Sequence, residues 1–291
     1  MLLGPLKTEA VLNAGDGADH NYNIEEYLSG FTRIDLEGLN TINLMKRYDT
    51  KFIFHIDKLP AVLNHLYPDY TALEIAGRRI FQYQNLYYDT PDYFFYHQHH
   101  NQKLNRYKMR CRNYVDMEKC FFEVKHKNNK GKTIKNRLLL YDKRIFREEL
   151  SNREKAFAKN CLQNGNVQKI DQINPALLVS YNPITLANLN KGARITIDVN
   201  LTFSDQSHFL TFDHLAVAEL KYAHFVLISA FFENLKRLQI RPAKFSKYCM
   251  GVVIMGKNVK YNRFKSNLSY LNAHFNVRRD EKRNQEVCAC L

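Results

Sequence analysis

Four cationic side chains alternate along the segment NRYKMRCRNY, residues 105–114. They are Arg106, Lys108, Arg110 and Arg112, at every second position. Because successive side chains of a β-strand point to opposite faces, a strand here places all four on one face. Guanidinium groups bind phosphate oxygens in pairs, and ammonium groups act as mobile point charges. The spacing therefore indicates a surface for an anion such as a chain of phosphates.

Charged side chains share one parity in several further stretches of alternating sequence. They are Lys51 in RYDTKFIF, Glu123 and Lys125 in KCFFEVKHK, Lys135 and Arg137 in KTIKNRLLLY, Arg194 and Asp198 in RITIDVNLTF, and Glu219 and Lys221 in AVAELKYA. Two unit charges of the same sign ~4 Å apart repel by about 4 kcal/mol at an effective dielectric near 20, so neighbouring cationic rows need a negative partner. A solvated outer face explains one such row, whereas recurrence on successive strands favours a shared lumen.

Three carboxylates stand among these cations, at Glu123, Asp198 and Glu219. Carboxylate oxygens bind Mg²⁺ or Mn²⁺, and such an ion can bridge the oxygens of neighbouring phosphates. The sequence therefore predicts that these three residues bind a divalent metal, Mn²⁺ or Mg²⁺.

The remaining pattern predicts an α+β fold in which strands carry the chemistry. Apolar residues alternate with polar ones through RITIDVNLTF, so Ile195, Ile197, Val199, Leu201 and Phe203 are expected to share one face. Helical periodicity occurs in PAVLNHLYPDY, FREELSNREKAFAKNCLQ and FVLISAFFENLKRLQI. An antiparallel β-barrel places the charged parity in a water-filled lumen and packs the apolar parity outward against these helices.

Length and composition indicate one folded domain with an anionic partner. The chain has 291 residues, of which 45% are hydrophobic, and a formal net charge of +14. We expect a flexible N-terminal lead-in at 1–25, a tunnel domain at 26–265 and a C-terminal tail at 266–291. The sequence has no C-x-x-C pair and no apolar run long enough to span a bilayer, so a cytoplasmic location is expected.

An ordered set of motifs resembles the VTC (vacuolar transporter chaperone) domain of polyphosphate polymerases in its stand-alone form. The motifs are RYDTKFIF, NLYYDTPD, NRYKMRCRNYV, FFEVKHKNNKGKTIKNR, RITIDVNLTF, AVAELKYA and RPAKFSKYCMGV. That domain belongs to the CYTH, or triphosphate tunnel metalloenzyme, group. The resemblance implies a tunnel of eight antiparallel strands with flanking helices. It also implies transfer of the terminal phosphoryl group of ATP to a growing polyphosphate chain, with release of ADP.

The resemblance implies roles for individual residues. Phosphate ligands are expected at Lys51, Arg110, Arg112, Lys125, Lys135 and Arg194, the metal-binding glutamate at Glu219, and a basic pair near the reacting phosphates at Lys244 and Lys247. Strand parity adds further phosphate-binding candidates at Arg106, Lys108, Arg137 and Lys221. We assign the catalytic role to Lys247, Lys244 and Arg194.

Two departures from the family pattern bear on activity. The wider group often has Glu-x-Glu-x-Lys, whereas this chain has Arg47, Asp49 and Lys51 at those places, which favours a polymerase over a hydrolase. Pro183 stands where relatives commonly carry a basic residue. A metal-dependent triphosphatase of tripolyphosphate or nucleoside triphosphates, and a polyphosphate-binding module without activity, remain alternatives.

Expected partners are ATP and polyphosphate, but not nucleic acid. The pattern assigns Tyr107 and Tyr114 to the face opposite the arginines, where their rings could not stack bases beside a basic row. Because the membrane-associated relatives join this domain to transmembrane helices, translocation of a chain would require a membrane-protein partner.

Overall fold

The structure is a computed structural model that describes residues 24–42, 48–141, 149–162, 167–205, 208–223 and 228–281. Almost all of the predicted lead-in, together with Arg47, lies outside these ranges. Within them, no helix is both long enough and apolar enough to cross a membrane.

Strands and helices alternate irregularly along the chain. The described strands are β1 (Arg33–Ile34), β2 (Tyr48–His55), β3 (Thr71–Leu73), β4 (Tyr83–Asp89), β5 (Arg106–Tyr114), β6 (Lys119–Lys127), β7 (Thr133–Leu140), β8 (Asn174–Asn188), β9 (Ala193–Ser204), β10 (His208–Phe212), β11 (Leu215–Tyr222) and β12 (Arg278–Glu281). The described α-helices are α1 (Ile24–Ser29), α2 (Leu36–Asn40), α3 (Leu59–Leu66), α4 (Phe94–His100), α5 (Asn152–Cys161), α6 (Ser229–Arg237), α7 (Lys247–Ile254) and α8 (Lys265–His274).

Eight strands form one continuous antiparallel path in the order β7, β6, β5, β4, β8, β9, β11, β2. The long strands β8 and β9 extend beyond their partners in this path. The far end of β9 pairs with β10, which pairs with β12, and the far end of β8 pairs with β3. The predicted α+β class, with an antiparallel sheet and flanking helices, is confirmed.

The sheet is not closed, so the predicted term barrel describes it only loosely. In the described part of the chain, β2 and β7 do not pair with each other. The outer edge of β2 is instead met by the segment before α7, where Ala243 N–H donates to the Lys51 carbonyl at 2.8 Å and Pro242 forms an isolated bridge with Phe52. Because proline has no N–H to donate, pairing does not continue along this edge.

The apolar parity of the strands packs outward against helices, as predicted. On one side, Phe52 and Ile197 share a buried cluster with Leu63 of α3 and residues of α6. On the other side, Met109 and Phe122 pack with α5. The opposite parity of β5, β6 and β7 therefore carries the cationic row on the other face of the sheet. This face, which points away from α3, α5 and α6, is called the concave face below.

A bulge in β9 interrupts the predicted alternation, so the five apolar residues do not all share one face. Asn200 has a positive φ of 54°, and the register with β8 shifts between Ser180 and Asn182. One extra residue reverses the side-chain parity beyond it. Ile197 consequently packs with α3 and α6, whereas Leu201 and Phe203 pack with α7. The concave face is therefore apolar at this end and charged elsewhere.

Part of the predicted C-terminal tail is packed on the sheet. In α8, Leu271 is buried, and Phe275 directly follows in the same cluster as α7. Beyond it, β12 pairs with β10. Residues 282–291 lie outside the described ranges.

Candidate phosphate-binding cleft

Glu123 is the centre of a cluster of cations on β5, β6 and β7. Register places Arg110 on one side of it and Arg137 on the other. Arg110 donates to Glu123 Oε2 from Nε at 2.8 Å and from Nη2 at 2.7 Å. Oε1 lies 3.2 Å from Nε of Arg137 and 3.6 Å from Nζ of Lys135. Burial raises the pKa of Glu123, but the surrounding cations, led by Arg110, hold it far below its usual range.

Three lysines form the next row of the same face. Lys125 lies directly opposite Lys108 on β5 and Lys135 on β7. Nearby Arg110, together with burial, holds the pKa of Lys125 well below its usual range. Partial burial lowers the pKa of Lys135 to about 8, despite the opposing effect of Glu123. On β5, β6 and β7, the concave face therefore carries more positive charge than the Glu123 carboxylate offsets.

Arg112 is held by neutral groups from two other strands. Its Nε donates to Asn85 Oδ1 at 2.7 Å, and its Nη2 donates to the Tyr181 hydroxyl at 2.8 Å. The guanidinium carbon also lies 5.3 Å from the ring centre of Tyr83 and 5.8 Å from that of Tyr114. The predicted placement of Tyr114 opposite the arginines is wrong, since residue 114 has the parity of 112.

Tyr87 supports Arg110 from β4. Its hydroxyl accepts a hydrogen bond of 3.2 Å from Arg110 Nη1, and its ring stacks on Tyr248 with centres 4.9 Å apart. Burial raises the pKa of Tyr87, but the charges of Arg110 and Lys108 outweigh this effect and lower it. The positive field of Arg110 and Lys108 therefore reaches the Tyr87 hydroxyl on β4.

A second cationic cluster surrounds Glu219 on β11. Lys51 lies opposite Glu219 on β2, and Lys221 lies two residues further along β11. The Glu219 carboxylate accepts from Lys51 at Oε1 and from Lys221 at Oε2. Arg194 lies opposite Lys221 on β9. The predicted residues of this group are therefore brought together.

The first turn of α7 lies across the concave face. Lys247 donates to Asp198 on β9, and its Nζ lies 4.4 Å from the centre of the Tyr181 ring. Ser246, the N-cap residue of α7, accepts from Lys108 on β5 at 2.9 Å. This turn therefore contacts the strands of both cationic clusters.

A buried hydrogen bond and a close approach position α7. Tyr248 donates to Asp89 at the end of β4, and Asp89 also accepts from two backbone amides of α4 at 2.9 Å. Further along α7, Gly251 lies so close to β8 and β9 that a Cβ there would be 2.5 Å from side-chain atoms of Leu177 and Phe203. The location of Lys247 thus depends on packing beneath the helix.

The other predicted residues lie at the margins of the cleft. Lys244 is exposed, and its backbone carbonyl accepts from Asn267. Arg106 begins β5 and donates from Nη1 to the Lys103 carbonyl at 2.8 Å. Pro183 lies opposite Asp198, which pairs with Lys247 instead of a basic residue on β8.

The three predicted metal ligands do not form one cluster. Glu123 is paired within the first cationic group, Glu219 within the second, and Asp198 with Lys247. Among the described residues, no group of three His, Cys, Asp or Glu side chains could hold a metal ion. Divalent metals prefer several oxygen ligands. The described carboxylates do not fit a preformed metal centre, and the metal assignment stays a prediction.

Sequence reasoning missed the neutral residues that hold the arginines. Asn85, Tyr87 and Tyr181 contact Arg112 or Arg110 directly. Asn85 and Tyr87 alternate within FQYQNLYYD, a signal that could have placed them on one face. Tyr181 shares its parity on β8 with the apolar residues Leu177 and Val179, so strand parity did not indicate a contact with an arginine.

The sequence of residues 46–256 matches the family model described as VTC domain. No curated protein matches the chain in sequence.

Solved structures show weaker likenesses. A candidate adenylate cyclase from Bacillus halodurans is 14% identical, with a TM-score of 0.42, over 76% of this chain and 99% of that chain. A candidate adenylate cyclase from Vibrio parahaemolyticus is 12% identical, with a TM-score of 0.41, over 70% and 97%. A candidate adenylyl cyclase from Hippeastrum, described as having a dominant triphosphatase activity, is 13% identical, with a TM-score of 0.38, over 74% and 98%.

Proposed function

Because this chain belongs to the VTC domain family, we propose that it is an ATP-dependent polyphosphate polymerase. The observation that supports this most directly is the charge around Glu123. One buried carboxylate faces a set of cations on three adjacent strands, namely Arg110, Arg112, Lys125, Lys135 and Arg137. A chain of phosphates would supply the missing negative charge along the whole row.

In the proposed reaction, an oxygen of the terminal phosphate of the chain attacks the γ-phosphorus of ATP. The new P–O bond forms as the bond from that phosphorus to the β–γ bridging oxygen breaks, and ADP leaves. Such transfer requires little covalent help from the protein and depends on positioning and on neutralising charge. Lys247 is suited to this role, because the first turn of α7 contacts strands of both cationic clusters.

The first cluster would hold the phosphate chain through Arg110, Arg112, Lys125 and Lys135, with Lys108 and Arg137 beside them. The second cluster would add Lys51, Lys221 and Arg194. Arg106 and Lys244 lie at the margins and would act as groups at the entrance. Families of this group generally depend on a divalent metal, and an ion entering with the nucleotide would neutralise its phosphate oxygens.

Polymerase activity is favoured over hydrolysis because the three carboxylates that could serve a water nucleophile are all ion-paired. Glu123 contacts Arg110, Glu219 contacts two lysines, and Asp198 contacts Lys247. A general base needs an available proton-accepting position near the attacking water. Because these three carboxylates are occupied by ion pairs, water lacks a base among them, and the phosphate chain is the favoured nucleophile.

The experiment is incubation of the purified chain with ATP and Mn²⁺, followed by separation of the products by gel electrophoresis and quantification of ADP. We expect ADP together with long phosphate polymers. Lys247→Met should lower both products in parallel, whereas Lys236→Met, on the exposed surface of α6, should leave them unchanged. ADP with only monomeric phosphate would show a triphosphatase, and the absence of ADP would indicate a binding module.

A further inference from the structure

The Glu219 carboxylate is enclosed by two lysines on the concave face. Oε1 accepts from Lys51 and Oε2 from Lys221, so each oxygen already has an ammonium partner. The three side chains are largely shielded, with exposed fractions of 24% for Glu219, 32% for Lys51 and 13% for Lys221. Two ammonium charges and one carboxylate charge leave this Lys–Glu–Lys triad cationic.

The triad has the donors and the charge of an anion site. A divalent cation prefers several oxygen ligands, and in the triad both oxygens of the one carboxylate are already used. The adjacent cation Arg194 lies opposite Lys221 and adds to the positive field. Each ammonium group carries three N–H donors, so either lysine can contact a phosphate oxygen as well as Glu219.

We propose that Lys51 and Lys221 bind a phosphate group directly, and that Glu219 is their internal counterion rather than the ligand of a resident metal. The inference rests on the proposed function only in treating the cleft as a site for phosphate chains. Glu219 then competes with the incoming phosphate for the same two ammonium groups. Removing its charge therefore strengthens phosphate binding, whereas removing a metal ligand would weaken it.

The wild-type protein gives the first test, by isothermal titration calorimetry with tripolyphosphate in the presence of EDTA. We expect saturable binding in EDTA, and no saturable binding of Mn²⁺ alone at concentrations up to about 1 mM. Tripolyphosphate binding that disappears in EDTA would overturn the proposal. Mn²⁺ binding at micromolar concentration that is lost in Glu219→Gln would also overturn it.

Variants give the second test under the same EDTA conditions. We expect Glu219→Gln to bind tripolyphosphate about fivefold more tightly, and Lys221→Met to bind it about tenfold more weakly. Asp171→Asn is the matched control, because it also removes a carboxylate that is paired with a lysine. Its partner is Lys159 on the outer surface of α5. It should leave the dissociation constant within about twofold. Weaker binding by Glu219→Gln would overturn the proposal.

Folding and polymer synthesis are measured separately, so each failure can be recognised. Thermal unfolding followed by circular dichroism checks that each variant is folded, and the wild-type titrations test the proposal even if a variant is not. If tripolyphosphate binds in EDTA and binds more tightly to Glu219→Gln, but ATP gives no polymer, the proposed function fails while the triad assignment stands. If polymer forms but the protein binds tripolyphosphate only with Mn²⁺, the triad assignment fails.

Discussion

The hydroxyl of Tyr181 accepts a hydrogen bond of 2.8 Å from Nη2 of Arg112. The ring of the same tyrosine lies beneath the ammonium group of Lys247. One neutral side chain on β8 thus positions cations from β5 and from α7. Arg112 is thereby held without a carboxylate that would compete with a bound phosphate, whereas Lys247 also pairs with Asp198.

Replacing Tyr181 by phenylalanine tests this arrangement. The change removes the hydrogen bond to Arg112 but keeps the ring beneath Lys247, so we expect tripolyphosphate binding to weaken about fivefold. Tyr181→Leu removes both contacts and should weaken binding further. Isothermal titration calorimetry measures both, and Tyr141→Phe, at an exposed tyrosine, is the control. Equal dissociation constants for all three variants would show that Tyr181 does not position either cation.

Lys125 is expected to lower the stability of the unliganded protein and to strengthen tripolyphosphate binding. It lies between Lys108 and Lys135 and makes no ion pair with any residue in the described ranges. Lys125→Met relieves the repulsion, so we expect the free energy of unfolding to rise by about 1 kcal/mol without ligand. Tripolyphosphate binding should weaken about tenfold. Urea unfolding and calorimetry measure the two effects, with Lys236→Met as the control. A destabilised Lys125→Met would show that the row is already neutralised.

The sequence predicted the cationic row well because strand parity is a local property. Arg110, Glu123 and Arg137 have the parity of the row, and the strand register places them directly opposite one another. The sequence did not predict that α7 covers the apolar end of the concave face. This contact depends on the bulge at Asn200 and on α7, which is distant in sequence from the strand residues that it covers. The support from Tyr181 was missed for another reason, because on β8 it shares its parity with the apolar residues Leu177 and Val179.

Stability should depend on pH through Lys135. Its pKa of about 8 in the folded protein lies below the ordinary lysine value of about 10.4, so the unfolded chain binds more protons between these values. Without ligand, the free energy of unfolding should therefore rise as pH increases from about 7.5 to about 9. Bound tripolyphosphate favours the protonated lysine and should flatten this rise. Urea unfolding at both pH values measures the effect.

The matched variant for this pH dependence is Lys135→Met. It removes one titrating group while leaving Lys125 and Lys221, whose pKa values are also lowered, in place. The rise in the free energy of unfolding between the two pH values should be smaller than in the wild type. An identical rise would assign the dependence to other groups.

Glu123 holds the first cluster together. Its side chain is fully buried and contacts Arg110, Lys135 and Arg137. Glu123→Gln leaves these cations uncompensated, so we expect a loss of about 3–5 kcal/mol in the free energy of unfolding. Tripolyphosphate should restore part of this loss, because it supplies negative charge to the same cations. Thermal unfolding with and without tripolyphosphate measures both effects, and a loss that the ligand does not reduce would place the anion elsewhere.

Gly251 controls the position of Lys247 from one turn further along the same face of α7. A Cβ at this residue would lie 2.5 Å from side-chain atoms of Leu177 and Phe203, so Gly251→Ala forces the helix away from the sheet. We expect a cost of about 1–3 kcal/mol in the free energy of unfolding. Tripolyphosphate binding should also weaken, because displaced α7 separates Lys247 from Asp198. Urea unfolding and calorimetry measure the two losses.

A second substitution distinguishes crowding from a loss of helix stability. Leu177→Ala removes one of the two side chains that the new methyl group would meet, the other being Phe203. The double variant Gly251→Ala, Leu177→Ala should therefore be more stable than the sum of the two single changes implies. It should also recover part of the tripolyphosphate binding, because α7 can move back toward the sheet and bring Lys247 closer to Asp198. Strictly additive losses in the double variant would show that the close approach at Gly251 does not determine where Lys247 lies.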